Sequence, residues 1–207
     1  MYARVAADDA DLFVRPARIL ISGFSGSGKS SLVVSILKKY RYKFNKVVLL
    51  GGDLEGVDDL NVIKDDDFDP FQEHLANSTL MIFDDVIFNR KLLTLAGEVF
   101  IRGRHLQISS LFCSQNLFFS DKNFRQVSLN TTHIILLRHR DEKQILCFAR
   151  TFLSDEKVKK FLNLYKKVVS KKRHQHLLVD FTTELDSPLM FRSNIAGEGY
   201  ERVFTID

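Results

Sequence analysis

Residues 23–30 read GFSGSGKS and match the phosphate-binding pattern G-x-x-x-x-G-K-[ST] over its full length. Glycines in such a loop let the backbone turn tightly and point its N–H groups at a phosphate, beside the N-terminus of a helix. The pattern predicts that Lys29 reaches the β- and γ-phosphates of a nucleotide and that the Ser30 hydroxyl binds Mg²⁺. We expect the nucleotide contacts to come from the loop and the start of the helix: Gly23, Ser25, Gly26, Ser27, Gly28, Lys29, Ser30 and Ser31.

The segments on either side of this loop have the pattern that a nucleotide site requires. Residues 19–21 are apolar and partly β-branched, which is typical of a buried strand. After the loop, apolar residues recur at helical spacing, at Leu32, Val33, Ile36 and Leu37. This strand–turn–helix context separates a nucleotide loop from a chance match in a segment rich in Gly and Ser.

An acidic pair, Asp84 and Asp85, directly follows the apolar residues 80–83. At the end of a strand, Asp84 is placed to orient the ligands of Mg²⁺, and Asp85 to hold and polarise an attacking water. An Asp after an apolar run can instead cap the next helix, so the pair alone allows both interpretations.

Arg102 and Arg104 flank Gly103, between a helical stretch and the next apolar run. A guanidinium at this position could reach a γ-phosphate, and such an arginine finger contributes about 10³- to 10⁵-fold in rate. Arginine at the end of a helix also complements the helix dipole, and Gly103 could cap that helix. These residues alone leave both interpretations open.

Gln115 follows the apolar residues 108–113, and Arg138 and Arg140 follow the apolar residues 133–137. An amide at a strand end can sense a γ-phosphate and orient water, as Gln does in other nucleotide hydrolases. The alternative for Gln115 is a turn residue that hydrogen-bonds its own backbone.

Short apolar runs and helical patterns alternate along the chain, which predicts an α/β protein with a mainly parallel sheet. We predict strands at 18–23, 46–51, 80–83, 108–113, 133–137 and 177–181, and helices at 29–40, 91–102, 142–152 and 155–169. Residues 54–77 are predicted as loop with a short helix. Because ligands bind at the carboxyl ends of parallel strands, the polar residues that follow these runs should meet at one edge.

The length of 207 residues fits one domain, and hydrophobic and charged contents of 45% and 27% are ordinary for a globular protein. We expect a single ATPase domain over 1–207, with a short N-terminal extension at 1–16 and a basic helix and strands at 155–207. No window of about 20 apolar residues predicts a membrane span. Cys113 and Cys147 lie in apolar stretches, which favours free thiols in a reducing, intracellular compartment over a disulfide or metal site.

The net charge of +4 is unevenly distributed. Residues 52–73 carry nine acids and one Lys, whereas residues 157–179 carry eight Lys or Arg and no acid. This asymmetry indicates a surface for a polyanion such as DNA; the alternative is a solvated helix whose outer positions are charged.

In this order, the elements resemble the FtsK–HerA superfamily of P-loop ATPases. They are more closely similar to the genome-packaging ATPases of poxvirus-type and other double-jelly-roll DNA viruses, including those of Polinton/Maverick elements. The segments that match are GFSGSGKSS, LMIFDD, RGRH followed by SSLFCSQNLFF, and LNTTHIILLRHRDEKQI, and the later segments HLLVDF and LMFRS also fit. The combination of RGRH with SQN is the most selective of them.

The resemblance implies a RecA-like (ASCE) three-layer sandwich that binds ATP and Mg²⁺ and assembles as a ring, commonly of six subunits. It implies that double-stranded DNA passes through the ring into a capsid, in an infected cell, with capsid vertex proteins as partners. Residue by residue, Asp84 serves the metal, Asp85 activates water, Gln115 senses the γ-phosphate, and Arg102 or Arg104 acts on a neighbouring subunit. Many related ATPases carry Glu where Asp85 stands, which is one methylene longer.

Other classes of protein fit the residues less well. A small nucleotide or nucleoside kinase, the second interpretation, needs a lid with several arginines, whereas the arginines here follow strands or flank Gly103. A GTPase would carry an N-K-x-D motif and an ABC cassette a signature such as LSGGQ, and the sequence has neither. A DNA-binding protein without catalysis would leave the loop, the acidic pair and Gln115 without a purpose.

Overall fold

Helices and strands alternate over most of the chain, as the apolar pattern predicts. The structure, a computed structural model, describes residues 2–5, 11–13, 15–71, 78–170, 174–184, 187–197 and 200–206. The described strands are β1 (Tyr2–Val5), β2 (Arg18–Ser22), β3 (Lys46–Gly51), β4 (Ile63–Lys64), β5 (Thr79–Asp84), β6 (Ile108–Ser114), β7 (His133–Leu136), β8 (Leu177–Asp180), β9 (Phe191–Ser193) and β10 (Glu201–Phe204). The described α-helices are α1 (Lys29–Tyr40), α2 (Arg90–Arg102), α3 (Lys122–Asn130), α4 (Glu142–Arg150) and α5 (Asp155–Val169).

Within the described residues, the strands form one sheet in the order β1-β10-β9-β8-β7-β2-β6-β5-β3-β4. The six strands β7, β2, β6, β5, β3 and β4 are parallel to one another. Beyond β7, the strands β8, β9, β10 and β1 continue the sheet in antiparallel pairs. The predicted α/β class with a mainly parallel sheet is confirmed. β6 lies between β2 and β5, as expected for a RecA-like (ASCE) core, while the antiparallel extension was not predicted.

Alternate residues of each central strand face opposite sides of the sheet, and each side has its own hydrophobic core. Ile19 and Ile21 of β2 pack with α1, whereas Leu20 packs on the side covered by α2, α3, α4 and α5. All three side chains are fully buried, and burying a side chain of this size contributes about 1.5–3 kcal/mol. Helices on both faces confirm the predicted three-layer sandwich.

One edge of the sheet collects the loops that matter for function. The parallel strands β2, β5, β6 and β7 all end at this edge, and β8 begins there because it runs antiparallel to β7, with Leu136 opposite Leu177. The edge therefore brings together segments from the first and the last third of the chain.

Buried charges hold the antiparallel half of the sheet together. Arg192 on β9 bonds through its two terminal nitrogens to Asp180 on β8, at 2.8 Å, and to Glu201 on β10, at 3.2 Å. His133 lies 3.3 Å from Asp180, and Lys39 lies 3.2 Å from Glu201. Because removing one partner of a buried ion pair costs about 3–5 kcal/mol, these contacts fix the register of the three strands.

The stretch at 54–77 was predicted as loop with a short helix, and the described part is largely irregular. It contains one short 3₁₀ turn, Asp58–Leu60, and the two-residue strand β4. Residues 72–77, including Glu73, lie outside the described residues. No helix in the part of the chain that the structure describes is long and apolar enough to cross a membrane.

Candidate nucleotide-binding site

The loop between β2 and α1 has the left-handed backbone that its glycines allow. Gly26 and Gly28 have φ of +77° and +99°, and Gly28 is the residue that precedes α1. The N–H of Ser27 donates to the Phe24 carbonyl at 3.0 Å, and the N–H of Leu32 donates to the Gly28 carbonyl at 2.9 Å. The loop is thus a tight turn that ends at a helix N-terminus, which is the geometry that binds phosphate.

Backbone hydrogen bonds tie the start of the loop to both neighbouring strands. The N–H of Gly23 donates to the Ser114 carbonyl at the end of β6, and the N–H of Phe24 donates to the Arg138 carbonyl after β7, each at 3.1 Å. Gly23 also has no room for a side chain, because a β-carbon there would lie 2.8 Å from that of Leu137. The position of the loop is therefore set by the ends of β6 and β7.

The ammonium group of Lys29 folds back over the loop. Its Nζ donates to the carbonyl of Gly23 at 2.8 Å and to that of Phe24 at 3.3 Å. Burial lowers the pKa of Lys29, while the nearby Cys113, Asp84 and Asp85 oppose this shift. The cation is thus bonded to neutral carbonyls of the loop, which it can exchange for phosphate oxygens.

Asp84 is the last residue of β5 and is only 8% exposed. Burial raises the pKa of this carboxyl, whereas a hydrogen bond with the Cys113 thiol and the charge of Lys29 lower it. A desolvated carboxylate of this kind gains from a divalent cation. Ser30, in the first turn of α1, lines the same cleft, so a hydroxyl and a carboxylate oxygen fit the two-ligand mode in which Mg²⁺ keeps several waters.

Asp85 leaves the strand in an unusual backbone conformation. Its φ of +52° lies in the left-handed region, which costs most residues about 1–3 kcal/mol and often marks a functional site. The side chain is exposed and lines the cleft beside Asp84. A carboxylate in this position can accept a proton from a water in the cleft.

Gln115 is also exposed to the cleft, and its neighbours are held by a side chain of α4 whose role the sequence did not suggest. Gln144 of α4 accepts a hydrogen bond from the Leu117 N–H at 2.9 Å and donates to the Asn116 side chain at 3.2 Å. The Ser114 hydroxyl donates to the Asn116 carbonyl at 2.6 Å. The segment that carries Gln115 is therefore fixed on both sides.

The cleft has a volume of about 450 Å³, within the usual range for small-molecule sites. It brings together most of the predicted site residues: Ser25, Gly26, Gly28, Lys29, Ser30, Ser31, Asp84, Asp85 and Gln115. Gly23 and Ser27 belong to the same loop but do not line the cleft. Sequence reasoning missed further lining residues, among them Phe88, Cys113, Phe119 and His174.

Arg102 and Arg104 do not line this cleft. α2 begins after Asp85 and runs back across the sheet, so its C-terminal end lies at the edge where β6 starts, opposite the loop. There the exposed Arg102 guanidinium lies 4.4 Å from the Phe71 ring, and the Arg104 Nε donates to His105 at 3.3 Å. A role for either arginine on a neighbouring subunit stays a prediction.

Of the basic segment at 157–179, the structure describes residues 157–170 and 174–179. α5 buries one face through Val158, Phe161 and Tyr165 and exposes Lys159, Lys160, Lys166 and Lys167. Lys171, Lys172 and Arg173 lie outside the described residues. The Tyr165 hydroxyl donates to the Leu137 carbonyl at 2.8 Å, which places the C-terminal part of α5 beside the cleft edge.

The structure is similar to that of the genome packaging NTPase B204 from Sulfolobus turreted icosahedral virus 2. Its complex with sulfate has a TM-score of 0.59 at 16% sequence identity, over 87% of this chain and 96% of that chain. Its complex with ATP-gammaS has a TM-score of 0.52 at 19% identity, over 82% and 94%. This chain has the P-loop NTPase fold. The expected resemblance to viral genome-packaging ATPases is confirmed at the level of that fold.

The structure is also similar to that of EssC (ATPases 2 and 3) from Geobacillus thermodenitrificans. That structure has a TM-score of 0.54 at 12% identity, over 92% of this chain and 40% of that chain. Comparisons with protein-family models and with curated proteins found no match.

Proposed function

We propose that this chain is an ATP-hydrolysing motor that translocates double-stranded DNA and packages a viral genome into a capsid. The observation that carries the proposal is the convergence of Lys29, Asp84, Asp85 and Gln115 on one cleft beside a phosphate-binding loop. The fold shared with the packaging NTPase B204, whose structures include complexes with AMP and ATP-gammaS, supports the same activity.

In this proposal the loop backbone holds the phosphates of ATP, and Lys29 exchanges its bonds to Gly23 and Phe24 for the β- and γ-phosphate oxygens. Ser30 and Asp84 hold Mg²⁺, which neutralises charge that develops on the phosphates. Asp85 accepts a proton from the attacking water, and Gln115 orients that water. These groups would serve hydrolysis, because Asp85 and Gln115 line the same cleft as the phosphate-binding loop, where both can contact a water that attacks the γ-phosphate.

The proposed motor is a ring, with six subunits favoured. Arg102 and Arg104 support this assembly, because both are exposed at the edge away from their own cleft and are therefore available to the γ-phosphate of a neighbouring subunit. An arginine supplied in this way would make hydrolysis depend on assembly.

The proposed DNA surface includes the exposed lysines of α5. Contacts between ammonium groups and phosphates do not depend on base sequence, as a motor that moves along any sequence requires. The partners of this ring would be capsid vertex proteins, in the cell that the virus infects.

The test is the steady-state rate of ATP hydrolysis by the purified chain, with and without long double-stranded DNA. We expect DNA of any sequence to stimulate hydrolysis, and Lys29→Ala to abolish it. Lys38→Ala is the matched control, because Lys38 is exposed near the far end of the same helix. Turnover by Lys29→Ala at the wild-type rate would refute the site, and hydrolysis indifferent to DNA would argue against the motor.

A further inference from the structure

His174 lies against the phosphate-binding loop, although it comes from the last third of the chain. A β-carbon added to Gly28 would lie 2.5 Å from Cδ2 of the His174 ring and 2.6 Å from its Cγ. The ring is exposed and lines the nucleotide cleft together with Gly28 and Ser31. An aromatic ring therefore borders the cleft at the point where α1 begins.

The backbone around His174 is held in place. Its φ of +64° is left-handed, a conformation that persists in a residue other than glycine only where the surroundings impose it. Two residues later the buried His176 accepts a hydrogen bond from the Ile195 N–H at 3.3 Å, and β8 then pairs with β7. The ring thus stands three residues before β8, whose first residues are held by these bonds.

The order of the strands in the sheet sets the orientation that a nucleotide would take in the cleft. Asp84, Asp85 and Gln115 follow β5 and β6, which lie on one side of β2, whereas His174 precedes β8, which lies on the other side beyond β7. In hydrolysis the γ-phosphate must face Asp85 and Gln115. The ribose and the base must then extend toward β7 and β8, where His174 stands.

We infer that His174 binds the nucleoside end of the nucleotide, with its imidazole ring stacked on the base. The inference rests on the proposed nucleotide site and adds the orientation of the ligand within it. Stacking uses the face that every base has, so this contact does not select one purine over the other. Gly28 leaves room for this ring, since a side chain there would displace it.

Two other aromatic rings border the cleft and define the competing orientation. Phe88 is 88% exposed and packs edge-to-face on Phe119, with ring centroids 6.3 Å apart. Phe88 follows β5 and Phe119 follows β6, so both stand on the γ-phosphate side of the loop. A base stacked there would place the triphosphate away from Asp85.

The experiment compares two ligands, ADP and inorganic tripolyphosphate, by calorimetry. We expect His174→Ala to weaken ADP binding by roughly 5- to 150-fold, the usual effect of losing a stacked ring, and to leave tripolyphosphate binding unchanged. His174→Phe, which keeps a ring, should restore ADP binding. Phe88→Ala is the matched variant on the opposite side and should bind ADP as the wild type does.

Three results would overturn the inference. The first is ADP binding by His174→Ala within twofold of the wild type. The second is an equal loss of both ligands in that variant, which would mean that the loop and not the base is affected. The third is a loss of ADP binding in Phe88→Ala alone. Lys29→Ala tests the nucleotide site itself. If the proposed site is wrong, Lys29→Ala should bind ADP and tripolyphosphate as the wild type does, whereas none of the three results above requires this.

Discussion

The backbone of Gly51 packs directly against the carbonyl of Asp84. A β-carbon at Gly51 would lie 2.3 Å from that oxygen, and the φ of Gly51 is +88°. The next residue, Gly52, donates its N–H to the same carbonyl at 2.8 Å. The end of β3 therefore supports the carboxylate that is proposed to hold the metal, at a distance that only glycine permits.

Gly51→Ala should displace Asp84 and reduce hydrolysis that depends on Mg²⁺. Gly56→Ala is a matched control, because Gly56 has a similar φ of +76° with nothing near its missing side chain. Backbone strain should lower the free energy of unfolding by about 1 kcal/mol in either variant. Gly51→Ala should lower it further, because its β-carbon also clashes with Asp84. Urea denaturation and the Mg²⁺ dependence of ATPase activity measure the two effects; equal behaviour of the two variants would contradict the expectation.

Asp84 and Asp85 should fail in different ways. Asp85→Asn removes the proton acceptor and should lower kcat by about 10²- to 10⁴-fold, with nucleotide affinity kept. Asp84→Asn should instead weaken the affinity for Mg²⁺–ATP. Asp58→Asn, an exposed carboxylate outside the cleft, is the control. A drop in kcat without a change in metal affinity for Asp84→Asn would show that the two roles are misassigned.

Gln144→Ala should slow hydrolysis without touching the nucleotide, because it frees the segment that carries Gln115. We expect kcat to fall roughly tenfold, in line with the loss of one or two hydrogen bonds of about 1 kcal/mol each, and ADP affinity to stay constant. Gln144→Glu keeps the acceptor for the Leu117 N–H and should recover part of the rate. If ADP affinity falls together with kcat, the role is structural and does not act through Gln115.

Charge removal on α5 should change how DNA binding depends on salt. The slope of log K against log salt concentration is negative, and each lost phosphate contact reduces its magnitude by about 0.9. Lys166→Ala with Lys167→Ala should therefore reduce the magnitude by about 1.8. Lys38→Ala, near the far end of α1, should leave the slope unchanged. The measurement is the affinity for duplex DNA over a series of salt concentrations; an unchanged slope in the double variant would place the DNA elsewhere.

Acid should loosen the antiparallel half of the sheet. Burial alone would raise the pKa of Asp180, but the hydrogen bond and charge of His133, with hydrogen bonds from Thr182, hold the pKa of this carboxyl well below its ordinary value of 3.8. A carboxyl whose pKa is lowered by folding stabilises the fold at pH values above its pKa in the unfolded chain. This contribution is lost progressively as the pH falls from that value toward the pKa of the folded protein.

Asp180→Asn tests this coupling. At pH 7 it should lower the free energy of unfolding by about 3–5 kcal/mol, because Arg192 loses one buried partner. The difference from the wild type should shrink as the pH falls below about 4, since the wild-type carboxyl then loses its advantage. Urea denaturation at several pH values gives both curves, and a difference independent of pH would speak against an electrostatic origin.

The parallel core could be predicted from the sequence because most residues of its central strands are apolar and buried. The bounds of α1, β3 and α5 agree with the prediction. Those of β2, β6, β7, β8 and α2 differ by one residue at one end, and β5 is one residue longer at each end. α4 ends at Arg150 instead of continuing to 152, since the N–H groups of Thr151 and Phe152 close shorter turns on Phe148 and Ala149.

The missed elements lack the signals on which such predictions depend. α3 has nine residues and buries only Phe124 and Val127. β9 and β10 bury Arg192 and Glu201, so their inward positions look like surface positions until their partners are known. β4 consists of two exposed residues.

The parts of the candidate site that belong to local sequence motifs could be predicted, and the parts contributed by distant segments could not. The loop, the acidic pair and Gln115 each follow a strand, so their meeting follows from a parallel sheet. His174 and Gln144 carry no local pattern, and their positions follow from the antiparallel direction of β8 and from the packing of α4.

The pairing of β1 with β10 has a consequence for synthesis of the protein. Tyr2 lies opposite Phe204, so β1 cannot pair with β10 until β10 has left the ribosome. The parallel core and its phosphate-binding loop can fold earlier, since domains form from the N-terminal side as the chain emerges. His174 and the antiparallel strands arrive afterwards. A nascent chain would accordingly form its phosphate-binding loop before the proposed contact between His174 and the base.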